Sequence, residues 1–124
     1  MVNGAHVLIY SSDAEADRVI LRDVLKLPHV DVGRGWLIFK LPPAEVALHP
    51  AENGEGDDEA ERALRSELYL MCEDIEQTIQ ELSARGVECK TVSEQPWGRV
   101  TRIVMPSGGE LGLYQPLHPT AFDL

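Results

Sequence analysis

Two imidazoles and several carboxylates recur in this chain at matched places. His6 lies seven residues before Asp13 and Glu67 lies seven before Asp74, and both aspartates can open a helix. In the strand-like segments that end each half, Glu45 matches Glu110, Ala47 matches Gly112 and His49 matches Tyr114. Imidazole and carboxylate together are the donor set for Zn, Ni, Mn or Fe, the last in a two-His-one-carboxylate arrangement with open positions. His, Glu and Tyr are equally the set from which a metal-free acid–base site is made. The plainer alternative is that the carboxylates sit in water at strand ends and the histidines are satisfied by backbone groups.

The elements that would position these groups come twice. In the first half, His6–Tyr10 reads as an apolar strand. Asp13–Lys26 follows, with Ala16, Val19, Ile20, Val24 and Leu25 at helical spacing, and then strand candidates near 29–32, 36–41 and 45–49. The second half repeats the plan. Glu67–Glu73 is a strand, and Asp74 caps a helix whose apolar stripe is Ile75, Ile79 and Leu82. Gly86 sits where a helix-ending glycine belongs. Strands are expected at 87–92, 97–105 and 110–115, the last two joined by the Pro106–Gly109 turn.

Period-2 alternation then assigns faces. Val7 and Ile9, Leu68, Leu70 and Cys72, Val46 and Leu48, and Leu111 and Leu113 face the helices. His6 and Tyr10, Glu67 and Tyr69, Glu45 and His49, and Glu110 and Tyr114 face the other way. If the sheet curls, the second set converges.

With 124 residues, 44% of them hydrophobic, the chain is expected to form a single domain: module one over 5–50, an acidic linker over 51–65, module two over 66–117 and a tail over 118–124. The linker's core, AENGEGDDEAER, carries six carboxylates and two glycines and cannot hold a core, so it reads as a solvated connection. A net charge of −10 argues against a nucleic-acid surface, which needs clustered Lys and Arg. No stretch approaches the ~20 apolar residues of a membrane span, and no signal peptide is evident. Cys72 and Cys89 lack CxxC spacing and read as reduced residues of a cytoplasmic protein.

The sequence resembles the vicinal oxygen chelate superfamily, which includes glyoxalase I, extradiol dioxygenases and the fosfomycin and bleomycin resistance proteins. The resemblance is carried by GAHVLIYSSDAEADRVILRDVLKLP in the first module and ELYLMCEDIEQTIQELSARGVE in the second. The ending EQPWGRVTRIVMPSGGELGLYQP resembles the family's Trp-Gly strand, Pro-x-Gly turn and closing Leu-Tyr-Gln-Pro strand. It implies an α+β fold of two βαβββ modules forming a cup around a small-molecule site, commonly with a divalent metal and commonly in a homodimer.

Carried over position by position, the family's metal ligands fall on His6, Glu67, Ala47 and Gly112, of which the last two have no donor. A shifted site of His6, His49 and Glu67, with or without Glu110, would restore a donor set. Two functions then stand side by side. One is a metal-dependent lyase, isomerase or dioxygenase in which Glu67 or Glu110 serves as ligand or base. The other is a metal-free protein that sequesters an antibiotic-type, cationic or planar compound against Tyr10, Tyr69, Tyr114, Trp36 and Trp97. A vestigial cup filled by Tyr114 and Met71 is a third reading. Arg99 and Arg102 can bind a substrate carboxylate or phosphate, or pair with nearby glutamates. His29 and His118 receive no role.

Overall fold

The computed structural model describes Met1, residues 3–50 and residues 64–124. The acidic linker expected over 51–65 lies, as far as residue 63, outside the described residues. The first ordered element is α1, Ala14–Val19, opened by the Asp13 carboxylate, which accepts from the Ala16 N–H at 3.2 Å. It runs directly into a π-helical turn, Ile20–Val24, in which the Leu25 N–H reaches the Ile20 carbonyl. Lys26, with φ of 56°, ends it in the left-handed region. Widening the last turn sets Ile20, Leu21, Val24 and Leu25 against the core from one short element.

β1 (His29–Asp31) and β2 (Leu37–Phe39) form an antiparallel hairpin. Its loop needs Gly33 and Gly35, both at positive φ, and the Asp31 carboxylate accepts from the N–H groups of both.

The second half realises the helix and the two long strands of the expected plan. β3 is Tyr69–Met71 and α2 is Ile75–Ala84; β4 (Ser93–Gln95), β5 (Gly98–Val104) and β6 (Glu110–Pro116) complete it. The strand order is β3-β6-β5-β4, with β3 parallel to β6 and the other pairs antiparallel. Asp74 caps α2 by accepting from the Gln77 N–H at 3.1 Å. Gly86, at φ of 80°, turns the chain out of the helix.

α2 covers one face of this sheet. Ile75 and Leu82 meet Ile103, Met105, Leu111, Leu113 and Val87 in a buried cluster, and Ile75 and Ile103 are fully shielded from solvent. Burying each such side chain contributes about 1.5–3 kcal/mol, which makes this layer the main source of stability. The buried Thr101 donates its hydroxyl to the Lys90 carbonyl at 2.6 Å, so no polar group is stranded there.

Hydrogen bonds from α1 and its π-turn tie the two halves together. The Asp17 carboxylate accepts from the Ser107 N–H at 3.0 Å and the Ser107 hydroxyl at 2.7 Å, and also from the Ser11 hydroxyl at 2.7 Å. Arg85 donates to the Val24 carbonyl at 2.8 Å.

Three expected strands differ. Residues 6–10 and 45–49 carry no strand pairing among the described residues. Their apolar side chains are open to solvent, Leu8 at 64% and Leu48 at 88%. An alternating pattern specifies an extended segment, but not a neighbour, and among the described residues of one chain neither segment has one. The strand expected at 87–92 shrinks to a single bridge, Cys89 to Ile103, because the tight turn at Pro96–Trp97 folds 93–95 onto β5 instead.

Candidate functional site

The sheet face away from α2 is set by register. Tyr69 on β3 and Arg102 on β5 both lie opposite Gly112 of β6, and Val100 lies opposite Tyr114. Gly112 explains how they fit. A Cβ at that position would collide with the Tyr69 ring, lying 2.7 Å from its Cε1 and Cγ, so the phenol occupies the room a side chain would take. Arg102 reaches over the same glycine to place its guanidinium carbon 5.5 Å from the centre of the Tyr69 ring.

From this packing follows a polar cluster. The Tyr69 hydroxyl donates to Glu67 Oε2 at 2.8 Å and accepts from Arg102 at 3.1 Å. The Arg102 to Glu67 distance is 3.8 Å, an ion pair without a hydrogen bond. Burial, then the hydrogen bond to the Glu67 carboxylate, pushes the Tyr69 phenol above the usual tyrosine range.

Beside it stands an aromatic group. Tyr114, on the central strand, is flanked by Tyr69 from β3 and by Trp97 from the turn before β5. The ring centres are 5.8 and 5.7 Å apart and the planes lie near-perpendicular at 86° and 76°. Gly98 permits this too, since a Cβ there would sit 3.1 Å from the Tyr114 ring. Burial, then the Glu45 carboxylate, raises the Tyr114 phenol. Trp97 remains 46% exposed, so the group presents ring surface outward.

Four of the residues expected to bind a substrate, Tyr69, Tyr114, Arg102 and Trp97, thus stand on or beside one face, with Glu67 among them. Tyr10 does not join them: its segment is unpaired and it is 92% exposed. Glu110 is drawn to Lys90, 3.7 Å away. Arg99 falls on the opposite face, where it bonds Glu76 at 2.9 Å and Glu94 at 2.8 Å, the pairing with glutamates considered above.

Sequence reasoning missed His118. The chain leaves β6 through Pro116 and turns back at Pro119, which brings His118 Nε2 within 3.1 Å of the Tyr114 hydroxyl. The Glu45 carboxylate accepts from the Ala121 N–H at 2.7 Å, holding the same tail. The two prolines spaced around the histidine were the available signal.

The expected metal ligands do not come together within one chain. Among the described residues no three His, Cys, Asp or Glu side chains are grouped to hold an ion, so His6, His49 and Glu67 do not form one within the chain. His49 turns to the Pro50 carbonyl at 3.0 Å. Glu67 is taken by Tyr69 and Arg102, Gly112 offers no donor and its space is filled by a ring, and Ala47 offers none either. Within one chain, the described residues do not fit a divalent metal.

A cavity of about 180 Å³ lies elsewhere, in the seam between the halves, lined by Leu25, Leu27, Pro42, Leu70, Leu82 and Ile103 among others. Its lining is mostly apolar and carries no charged group. No described helix is long and apolar enough to cross a membrane.

No family model matches the chain, nor does any curated protein. Solved structures do. TnmS3, an antibiotic-binding protein from Streptomyces sp. CB03234, is 23% identical with a TM-score of 0.59, the match covering 94% of this chain and 99% of that one. A lactoylglutathione lyase from Agrobacterium tumefaciens is 17% identical with a TM-score of 0.56, over 86% of this chain and 88% of that one. A glyoxalase/bleomycin resistance protein from Streptomyces sp. CB03234 is 24% identical with a TM-score of 0.54, over 85% of this chain and 93% of that one. The chain therefore has the α+β fold of the glyoxalase/bleomycin resistance proteins.

Proposed function

We propose that this protein binds a planar small molecule, without a metal, against the Tyr69–Tyr114–Trp97 face. The observation that carries the reading is Gly112. The position from which the resembled family draws a carboxylate ligand is here a glycine, its space is filled by a phenol, and the hydroxyl of that phenol ties up the Glu67 carboxylate. A site rebuilt in this way has exchanged metal donors for aromatic surface, which suits a guest held by stacking and a few polar contacts. The likeness in fold to an antibiotic-binding protein agrees with it.

We further propose that the chain works as a homodimer, as one domain, in the cytoplasm with Cys72 and Cys89 reduced. The exposed apolar segments around Val7–Ile9 and Val46–Leu48 support the dimer, because a second copy would bury them. Sedimentation or light scattering should give twice the 13.7 kDa of one chain. A Val46→Glu/Leu48→Glu variant should sediment as a monomer, and a wild-type mass of 13.7 kDa would overturn the dimer.

Titration of chelator-treated protein with the uncharged probe 2-naphthamide tests the binding reading. Saturable binding is expected, equal before and after chelation and lost in Trp97→Ala/Tyr114→Ala. Binding that appears only on adding Zn, Ni, Mn or Fe would return the metal-dependent reading to the front.

A further inference from the structure

The polar cluster beside the aromatic group has a built-in occupant. We propose that Tyr69 and Arg102 form a docking point for an anionic oxygen on the planar guest, and that Glu67 is the internal competitor the guest displaces. The proposal rests on the binding reading above and names the chemistry of its guest, an aromatic carboxylate or phenolate.

Register and the missing Cβ make the docking point. Tyr69 and Arg102 approach Gly112 from the two neighbouring strands and meet above it, hydroxyl to guanidinium at 3.1 Å. Arg102 is the one cation among the described cup-facing positions of the four-stranded sheet, and Lys90, whose N–H reaches the Arg102 carbonyl, is paired with Glu110 at 3.7 Å. A guanidinium offers a flat fork of N–H donors that matches two carboxylate oxygens, and the Tyr69 hydroxyl adds a third donor beside it.

Glu67 already uses that arrangement, and uses it poorly. Its carboxylate accepts from the Tyr69 hydroxyl at 2.8 Å but stays 3.8 Å from Arg102, with 64% of its side chain exposed against 38% for Arg102. A pair this open to water is held weakly. A guest whose ring lies against Tyr114 and Trp97 brings its own anion to the same donors and gains stacking that Glu67 cannot supply. A cationic guest meets the opposite situation, since the Glu67 charge is already shared between a hydroxyl and a guanidinium.

The test uses the full chain and three bicyclic probes of one shape: 2-naphthoate, 2-naphthamide and 2-(aminomethyl)naphthalene, titrated at neutral pH. Naphthoate should bind at least tenfold more tightly than naphthamide. Arg102→Met should erase the difference between naphthoate and naphthamide, and Arg102→Lys should keep part of it. Glu67→Gln, which keeps an acceptor for Tyr69 but removes the competing charge, should tighten naphthoate severalfold. Equal binding of naphthoate and naphthamide overturns the docking point and leaves the binding reading standing. So does tighter binding of the amine, or a loss of naphthoate affinity in Glu67→Gln. If none of the three binds, the binding reading falls and the docking point with it.

Discussion

Replacing Gly112 with alanine measures how firmly the Tyr69 ring is seated. The backbone at Gly112 has no positive φ, so alanine faces no conformational penalty and by itself gains about 0.5–1 kcal/mol from the lower entropy of the unfolded chain. The cost comes from packing. The added Cβ falls within 2.7 Å of Tyr69 Cγ, an atom one bond from the Tyr69 Cβ, so the ring cannot swing clear without changing χ1. Overpacking of this kind costs about 1–3 kcal/mol. The net loss is then about 0.5–2 kcal/mol, and with ~2.1 cal/mol/K of unfolding entropy per residue it lowers Tm by roughly 2–8 °C. In a Tyr69→Ala background the ring is gone, and Gly112→Ala should become neutral or raise Tm. Thermal unfolding of the four proteins closes the cycle, with an expected coupling of about 1–3 kcal/mol. A Gly112→Ala that stabilises the otherwise native chain, or a coupling near zero, would refute the packing on which the site is built.

Further outcomes follow from the same contacts. Asp17→Ala removes the acceptor that joins α1 to the Ser107 turn and should cost about 2–3 kcal/mol, read as a lower urea midpoint with an unchanged slope. Ile103→Ala empties a fully buried site and should cost about 2–5 kcal/mol by the same assay. Tyr69 and Tyr114 carry raised pKa values, so the folded chain favours the neutral phenols. That stability is present below the ordinary tyrosine pKa of 10.0 and is lost as pH climbs through the higher folded values. Unfolding midpoints should therefore fall above pH 10 in the parent chain, and fall less in Tyr69→Phe/Tyr114→Phe. Burial also raises the Cys72 and Cys89 thiols, so at pH 8 both should react with a disulfide reagent more slowly in the native chain than in urea.

The second half was legible in the sequence because its signals are local. Asp74 caps α2, Gly86 ends it, and the alternation of Leu111 and Leu113 with Gly112 and Tyr114 assigns the faces of β6. The segments at 6–10 and 45–49 read as strands with equal clarity and are unpaired, since the pattern of a strand says which residues are apolar but not which chain supplies its neighbour. Within the site, Ala47 and Gly112 were visible as positions without donors. That the Tyr69 ring fills the space at Gly112 was not, because it depends on the parallel register of β3 and β6, two strands forty residues apart in sequence. His118 was hidden for a similar reason: its role comes from a turn between two prolines, not from any periodicity.

The central claim is that a planar guest sits on the aromatic face with no metal. Backbone amide and indole shifts of the chelator-treated chain, followed by NMR during a 2-naphthamide titration, test it most directly. The account predicts that the largest changes fall on Tyr69, Trp97, Arg102 and Tyr114, with the same pattern whether or not divalent metal is added back. Changes confined to Leu25, Leu27 and Leu82 around the seam cavity, or none until metal is supplied, would contradict it.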